Sequence, residues 1–255
     1  MVSGRALLFR KLIRDYRQLL VPSLVISLVM AAGIASLIMS LSAMRSLSLS
    51  KDETYQRLEF ADLTVPVVRM PRTALAQLLR LPDVRQAECR ITAEGQVLLK
   101  NVQNNITARF HSLPERNMTV NGVHILQGRM PQPAALKEAL VSDAFAKAWG
   151  IHSGDTLEVL LNGRRFKLVI SGIARSPDYV YQAGSAASLP EDRLFSVWWV
   201  SRRLLEQTQN LRSACNEILF RLHSGEREIP VLKSIFESKI KHFGYTQVIP
   251  RSRQL

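Results

Sequence analysis

The longest apolar run in the chain, LLVPSLVISLVMAAGIASLIMSLSAM, extends from Leu19 to Met44 without a charged side chain. An α-helix rises about 1.5 Å per residue, and about 20 apolar residues span the hydrocarbon core of a bilayer. Residues 19–44 are therefore expected to form a transmembrane helix. A cleaved signal sequence carries an apolar stretch of only about 7–15 residues and a small-residue cleavage site. This run is longer and leaves through Ala43, Met44 and Arg45. Ahead of it, Leu8, Phe9, Leu12, Ile13, Tyr16 and Leu20 recur at spacings of three and four, while Arg10, Lys11, Arg14 and Arg17 take other faces. Residues 1–18 thus predict an amphipathic helix at the lipid headgroups, the other reading being a basic flank that only sets topology. Residues 45–58 read as a polar exit and stalk.

From residue 59 the hydrophobic period changes from that of a helix to that of strands. Glu59–Val68 alternates and is rich in valine, a strand. Pro71 suits a first helical position, and Leu75, Leu78 and Leu79 form a helical stripe. Two stretches of strand-like alternation follow, 84–100 with a turn near Glu94-Gly95, and 101–113. From Pro114 the chain becomes turn-rich, with several short strands and one short helix, Asp143–Trp149. After about residue 192 the first texture returns: strand LFSVWWVS, helix RRLLEQTQN, strand CNEILFRLH, an amphipathic helix on Ile229, Leu232, Ile235, Phe236 and Ile240, and a last strand YTQVIPR. The predicted fold is α+β, a βαβ-βαβ domain over 59–255 split by a β-rich insertion at about 115–192.

Gly150, Gly154 and Asp155 precede the strand TLEVLL, which suggests a phosphate loop at first sight. Such a loop needs a strand before it and a helix after it. Here the order is reversed: a helix ends at Gly150 and strands follow. Gly150 fits a left-handed helix stop, Gly154-Asp155 a turn, and Asn162-Gly163 a two-residue hairpin.

Within the apolar helix, Ser27, Ala31, Ala35 and Ser36 belong to small residues repeating at four-residue spacing. Such faces let membrane helices approach closely, so further helices are expected as partners besides lipid.

Charge sets the orientation. The first 18 residues carry Arg5, Arg10, Lys11, Arg14 and Arg17 against Asp15, whereas Asp52 and Glu53 follow the run. Positive flanks stay in the cytoplasm, so the N-terminus is expected there and the large domain outside. The whole chain carries +13. Its basic residues are scattered, with no nucleic-acid-binding pattern, and no nucleic-acid partner is expected.

Candidate chemistry is sparse. There is no G-x-x-x-x-G-K-[ST], no G-x-S-x-G and no metal-ligand spacing among the five histidines. No catalytic residue, metal or cofactor is expected. Cys89 and Cys215 lie in the outer domain, where an oxidising compartment permits a disulfide; two buried thiols are the other reading.

The order of these features resembles the MacB/FtsX-type ABC transporter permeases, from their first membrane helix through their periplasmic core domain. The residues that carry the resemblance are Gly128-Arg129-Met130-Pro131, the short helix leading to Gly150–Asp155, the run Val169–Ala174 (VISGIA) and SPDYVY. The resemblance implies a ferredoxin-like, Porter-type domain interrupted by a Sabre-type insertion. It implies a non-catalytic subunit in a bacterial inner membrane, dimeric in its complex, with ATP bound by a separate ABC ATPase. The cargo would be a hydrophobic substrate, lipoprotein or peptide. Family members continue into a return stalk and further membrane helices, whereas this sequence stops at VIPRSRQL. A truncated or N-terminal part of a permease is therefore expected, with a single-pass anchored adaptor or sensor as the alternative.

Overall fold

The apolar run forms one uninterrupted helix, α1 (Pro22–Ser46), long and apolar enough to cross a membrane. Ser27, Ala31, Ala35 and Ser36 lie along it, and every one of its described residues is exposed. The computed structural model describes residues 22–46, 59–99, 106–115, 118, 120–179, 193–225 and 229–250. The expected amphipathic helix at 1–18 and residues 47–58 of the stalk lie outside them. Helix α1 belongs to one compact unit, Met1–Glu53, and the rest to a second, Thr54–Leu255.

The second unit starts on strand β1 (Leu63–Pro71), whose Leu63, Val65 and Val67 alternate into the core. The alternation then slips by one residue to Met70, because the pairing register shifts between Pro66 and Met70. Such a bulge re-aims the side chains that follow it, so that Met70 rather than Arg69 is buried. A 3-10 turn (Arg72–Ala74) leads into the short helix α2 (Leu75–Leu78), which buries Leu78 and leaves Leu79 exposed. Strand β2 (Val84–Arg90) follows. Much later come β10 (Ala214–Leu222), helix α5 (Ile229–Ile240) and the two-residue strand β11 (Ile249–Pro250). These strands form a sheet of order β11-β1-β10-β2, antiparallel throughout. This is the split βαβ arrangement of a ferredoxin-like fold, each βαβ half receiving a strand of the other. Phe236 and Ile240 of α5 are buried, Phe236 with its ring 4.7 Å from that of Phe220.

The described strands between β2 and β10 all belong to a second sheet. Its strands are β3 (Thr92–Leu98), β4 (Ile106–Leu113), β5 (His124–Gly128), β6 (Glu138–Ser142), β7 (Thr156–Leu161), β8 (Arg164–Arg175) and β9 (Phe195–Ser201). Helix α3 (Asp143–Trp149) follows β6, and helix α4 (Arg202–Thr208) follows β9. The order β8-β6-β9-β4-β3-β7 closes on itself because β7 also pairs with β8. The result is a six-stranded barrel, with β5 added where β7 leaves the edge of the long strand β8. At this size side chains fill the interior. Val97, Phe110, Val159, Ile170 and Trp198 are all buried in the main hydrophobic cluster.

The insertion is thus larger than the 115–192 read from the sequence. Residues 92–98, 106–113 and 195–208, assigned there to the two βαβ halves, are barrel strands and a barrel helix. The reason is long-range pairing: β4 and β9 are parallel neighbours, Phe110 opposite Trp198, and alternation alone does not reveal a strand's partner. The turn expected at Glu94-Gly95 is also absent. Gly95 lies within β3, where a Cβ would stand 2.5 Å from the Leu160 carbonyl oxygen, so its role is close backbone approach between β3 and β7.

Candidate functional site

The insertion leaves the four-stranded sheet after β2 and returns just before β10, and these two crossings are joined in three ways. Cys89 and Cys215 form a disulfide with their Cα atoms 5.7 Å apart. The Asn216 side chain accepts from the Thr92 amide and donates to the Thr92 carbonyl, both at 2.8 Å. Arg202, buried at the start of α4, donates to the carbonyls of Cys89 and Ala214, each at 2.8 Å, and to Glu206 at 3.1 Å. Burial holds this guanidinium below its ordinary value, with nearby Arg72 adding to the effect.

Beside this neck lies a buried polar cluster. Arg90 on β2 donates to Glu217 on β10 at 2.5 Å and to Asp178 at 2.6 Å. Burial opposes the charge of Arg90, and the two carboxylates more than offset it. Asp178 sits in a 3-10 turn, Pro177–Tyr179, directly after β8. Its other oxygen accepts from the side-chain amide of Asn121, whose own oxygen accepts from the Ala61 amide at 2.6 Å. Burial pushes the Asp178 carboxyl up against the pull of Arg90. The next residue, Tyr179, has its hydroxyl 2.7 Å from His111 Nε2, and His111 Nδ1 lies 3.3 Å from Thr92 Oγ1. Burial holds His111 well below the usual histidine value, and the charges of Arg90 and Arg109 add to this, so the ring is neutral. Burial also raises the Tyr179 phenol. Arg90 ties both carboxylates down, and the Tyr179 phenol stays protonated against a neutral His111 ring. The arrangement serves to hold sheet, barrel and the 177–179 turn together. Among the described residues no group of His, Cys, Asp or Glu could hold a metal ion.

The residues singled out from the sequence fall at turns around the barrel. Gly128 ends β5 at φ +80°, where a Cβ would lie 2.3 Å from the Ser171 carbonyl oxygen. Arg129 next to it grips Glu138 with both terminal guanidinium nitrogens, and Glu138 also accepts from the Gln132 amide at 3.0 Å. The hydrogen bond from Arg129 lowers the Glu138 carboxyl. This fixes the loop that carries the buried Pro131. Gly150 closes α3 in the left-handed conformation. Gly154 donates to the Ile170 carbonyl at 2.8 Å, and Asp155 accepts from the His152 amide at 2.7 Å. Asn162 and Gly163, both at positive φ, join β7 to β8, the geometry of a type I′ turn.

The structure places Pro131 in the wall of a groove of about 590 Å³. Leu113 and Pro114 at the end of β4, Met118, Val123, Met130 and Pro133 complete its apolar walls, and Ser201 and Arg203 stand where β9 meets α4. Strand β9 explains why it lies there. Trp198 and Val200 point into the barrel, while Phe195, Val197 and Trp199 form a second cluster with Leu113, Leu140 and Ala174. The groove opens at the end of that second face. The remaining groups, from Gly128 to Gly163, shape turns and are not gathered around it.

Of the neck, the sequence pointed only to the possible Cys89–Cys215 disulfide, and the buried cluster was not legible as a site. Their residues come from β2, β3, β4, β10, α4 and connecting segments, and no spacing joins them. For the cluster the signal was SPDYVY, which holds Asp178 and Tyr179.

Comparison with known proteins closes the question of family. The model of the MacB-like periplasmic core domain matches residues 23–235. Among solved structures, the chain is similar to the periplasmic region of MacB from Actinobacillus actinomycetemcomitans. The identity is 12%, the likeness covers 80% of this chain and 94% of that one, and the TM-score is 0.47. It is also similar to the extracellular domain of the noncanonic ABC-type transporter YknZ from Gram-positive bacteria. There the identity is 12%, the coverage 74% and 98%, and the TM-score 0.46. No curated protein matches the sequence. The family match spans most of α1, the whole barrel and strands β1, β2 and β10 of the four-stranded sheet, and the chain belongs to the family of the MacB-like periplasmic core domain.

Proposed function

We propose that this chain is a non-catalytic subunit of an ABC transporter permease, or the N-terminal part of one. Helix α1 anchors it in the inner membrane with the N-terminus cytoplasmic, and the large domain stands in the periplasm. That domain binds cargo or a partner protein while a separate ABC ATPase drives export or extraction of a hydrophobic substrate, lipoprotein or peptide. In the complex the permease is dimeric, and the face bearing Ser27, Ala31, Ala35 and Ser36 packs against further permease helices.

The observation that carries this reading is the family match, which runs from the apolar helix into the large domain as far as residue 235. The Cys89–Cys215 disulfide supports the outer location, because such bonds persist in oxidising compartments. The neck supports a mechanical role, since a domain that relays motion from membrane helices needs its parts firmly joined.

Affinity purification of the tagged chain from gently solubilised native membranes tests it. An ABC ATPase and additional permease helices are expected in the eluate, and recovery of neither overturns the transporter reading. Protease added to spheroplasts should digest the large domain, whereas in inside-out vesicles it should reach only the N-terminal segment. The reverse pattern overturns the orientation.

A further inference from the structure

Two polar groups at the groove have no polar partner among the described residues. Ser201 is 2% exposed, and its buried hydroxyl has no hydrogen-bond partner among the described residues. It precedes α4 but makes no capping hydrogen bond to the helix. Its register position is opposite Leu113, and strand alternation turns it to the side of Trp199, toward the groove. A buried hydroxyl without a partner is costly, which favours any ligand that supplies one. Arg203 is the second group. It lines the groove, is exposed, and has no carboxylate within ion-pair distance among the described residues. The other charges nearby are engaged: Arg202 at the neck, and Glu115 with Arg72 at 3.5 Å. Among the described residues, the free charge at the groove is therefore positive. Its walls are apolar, its two methionines adapt to varied shapes, and its volume lies within the range of about 300–1,000 Å³ typical of small-molecule sites.

We propose that this groove binds an anionic amphiphile, with its apolar body along Leu113, Met118, Val123, Met130 and Pro131. Its carboxylate or phosphate lies between the Ser201 hydroxyl and the Arg203 guanidinium. As a statement about cargo this rests on the transporter reading; as a binding site it does not.

The test is calorimetric titration of the full chain in phosphatidylcholine nanodiscs, with empty nanodiscs subtracted. The probes are octanoate, octyl phosphate, octanol and octyltrimethylammonium. Both anions should bind at least tenfold more tightly than octanol or the cation. Tighter binding of octyl phosphate identifies a phosphate-bearing lipid as the source, and tighter binding of octanoate a fatty-acid carboxylate. Arg203→Gln should weaken the anions about tenfold, roughly 1.4 kcal/mol, and leave octanol unchanged. Ser201→Ala should weaken them several-fold. Equal binding of all four probes, or anion binding indifferent to Arg203→Gln, overturns the proposal. Arg203 is exposed, so its variant decides the matter even where Ser201→Ala perturbs folding. Selective anion binding in a chain that recovers no ATPase would leave the site standing and remove the transporter reading.

Discussion

Arg90 is joined through its guanidinium to Asp178 in the turn after β8 and to Glu217 on β10, and all three side chains are nearly excluded from solvent. Removing one member of such a group leaves the others charged and unpaired in a poor solvent for charge. Arg90→Met is therefore expected to cost about 3–5 kcal/mol of stability, read as a lower urea midpoint; a shift below 1 kcal/mol would mean that the carboxylates find water. His111 supplies a pH dependence whose sign follows from its environment. Burial, aided by Arg90 and Arg109, lowers its folded-state value, while Thr92 and Tyr179 occupy its ring nitrogens. The unfolded chain then binds the proton more readily than the folded one. Stability from this group is complete above pH of about 6.5 and falls as the pH drops below it, by up to about 1.4 kcal/mol per pH unit. His111→Gln should flatten the melting-temperature profile between pH 5 and 7.5; profiles parallel to the wild type would remove His111 as the cause.

The elements show which parts of this order were legible in the chain. Helix α3 forms over the span that its sequence predicts, because Asp143 opens it and Gly150 can adopt the left-handed stop. The β7–β8 hairpin follows from Asn162-Gly163, both of which tolerate positive φ. The insertion boundaries did not follow, since β3, β4 and β9 alternate as any strand does and their partners are distant. At this scale the Cys89–Cys215 bond is the main staple, as the loop it closes contains the whole barrel. Replacing both cysteines by alanine should cost about 2–5 kcal/mol. Reduction of the wild type should give a similar shift in chemical denaturation and none in the double variant. A wild type insensitive to reductant would show that the neck is held by Asn216 and Arg202 alone.

Across the whole large domain, one hydrophobic cluster includes Leu63 and Phe220 of the four-stranded sheet together with Phe110 and Trp198 of the barrel. A shared core predicts a single unfolding transition. The three tryptophans, Trp149, Trp198 and Trp199, all lie in the insertion. Their fluorescence reports the barrel, whereas far-ultraviolet circular dichroism reports both sheets. The two curves should coincide in urea, and separate midpoints would show that barrel and sheet unfold independently.

The sequence by itself determined the apolar helix, its basic flank, the α+β texture, the turns at Gly150 and Asn162-Gly163, and the lack of a nucleotide-binding motif. All of these are local: they depend on hydrophobic period, on allowed backbone angles, or on residues adjacent in the chain. Tertiary structure alone decided the closure of the barrel, the extent of the insertion, the polar cluster and the groove. Arg90 meets partners 88 and 127 residues away, and Ser201 faces Leu113 only because β4 and β9 pair in parallel. Hydrophobic period records which face of an element is buried but not what buries it, and both the cluster and the groove arise from that second fact.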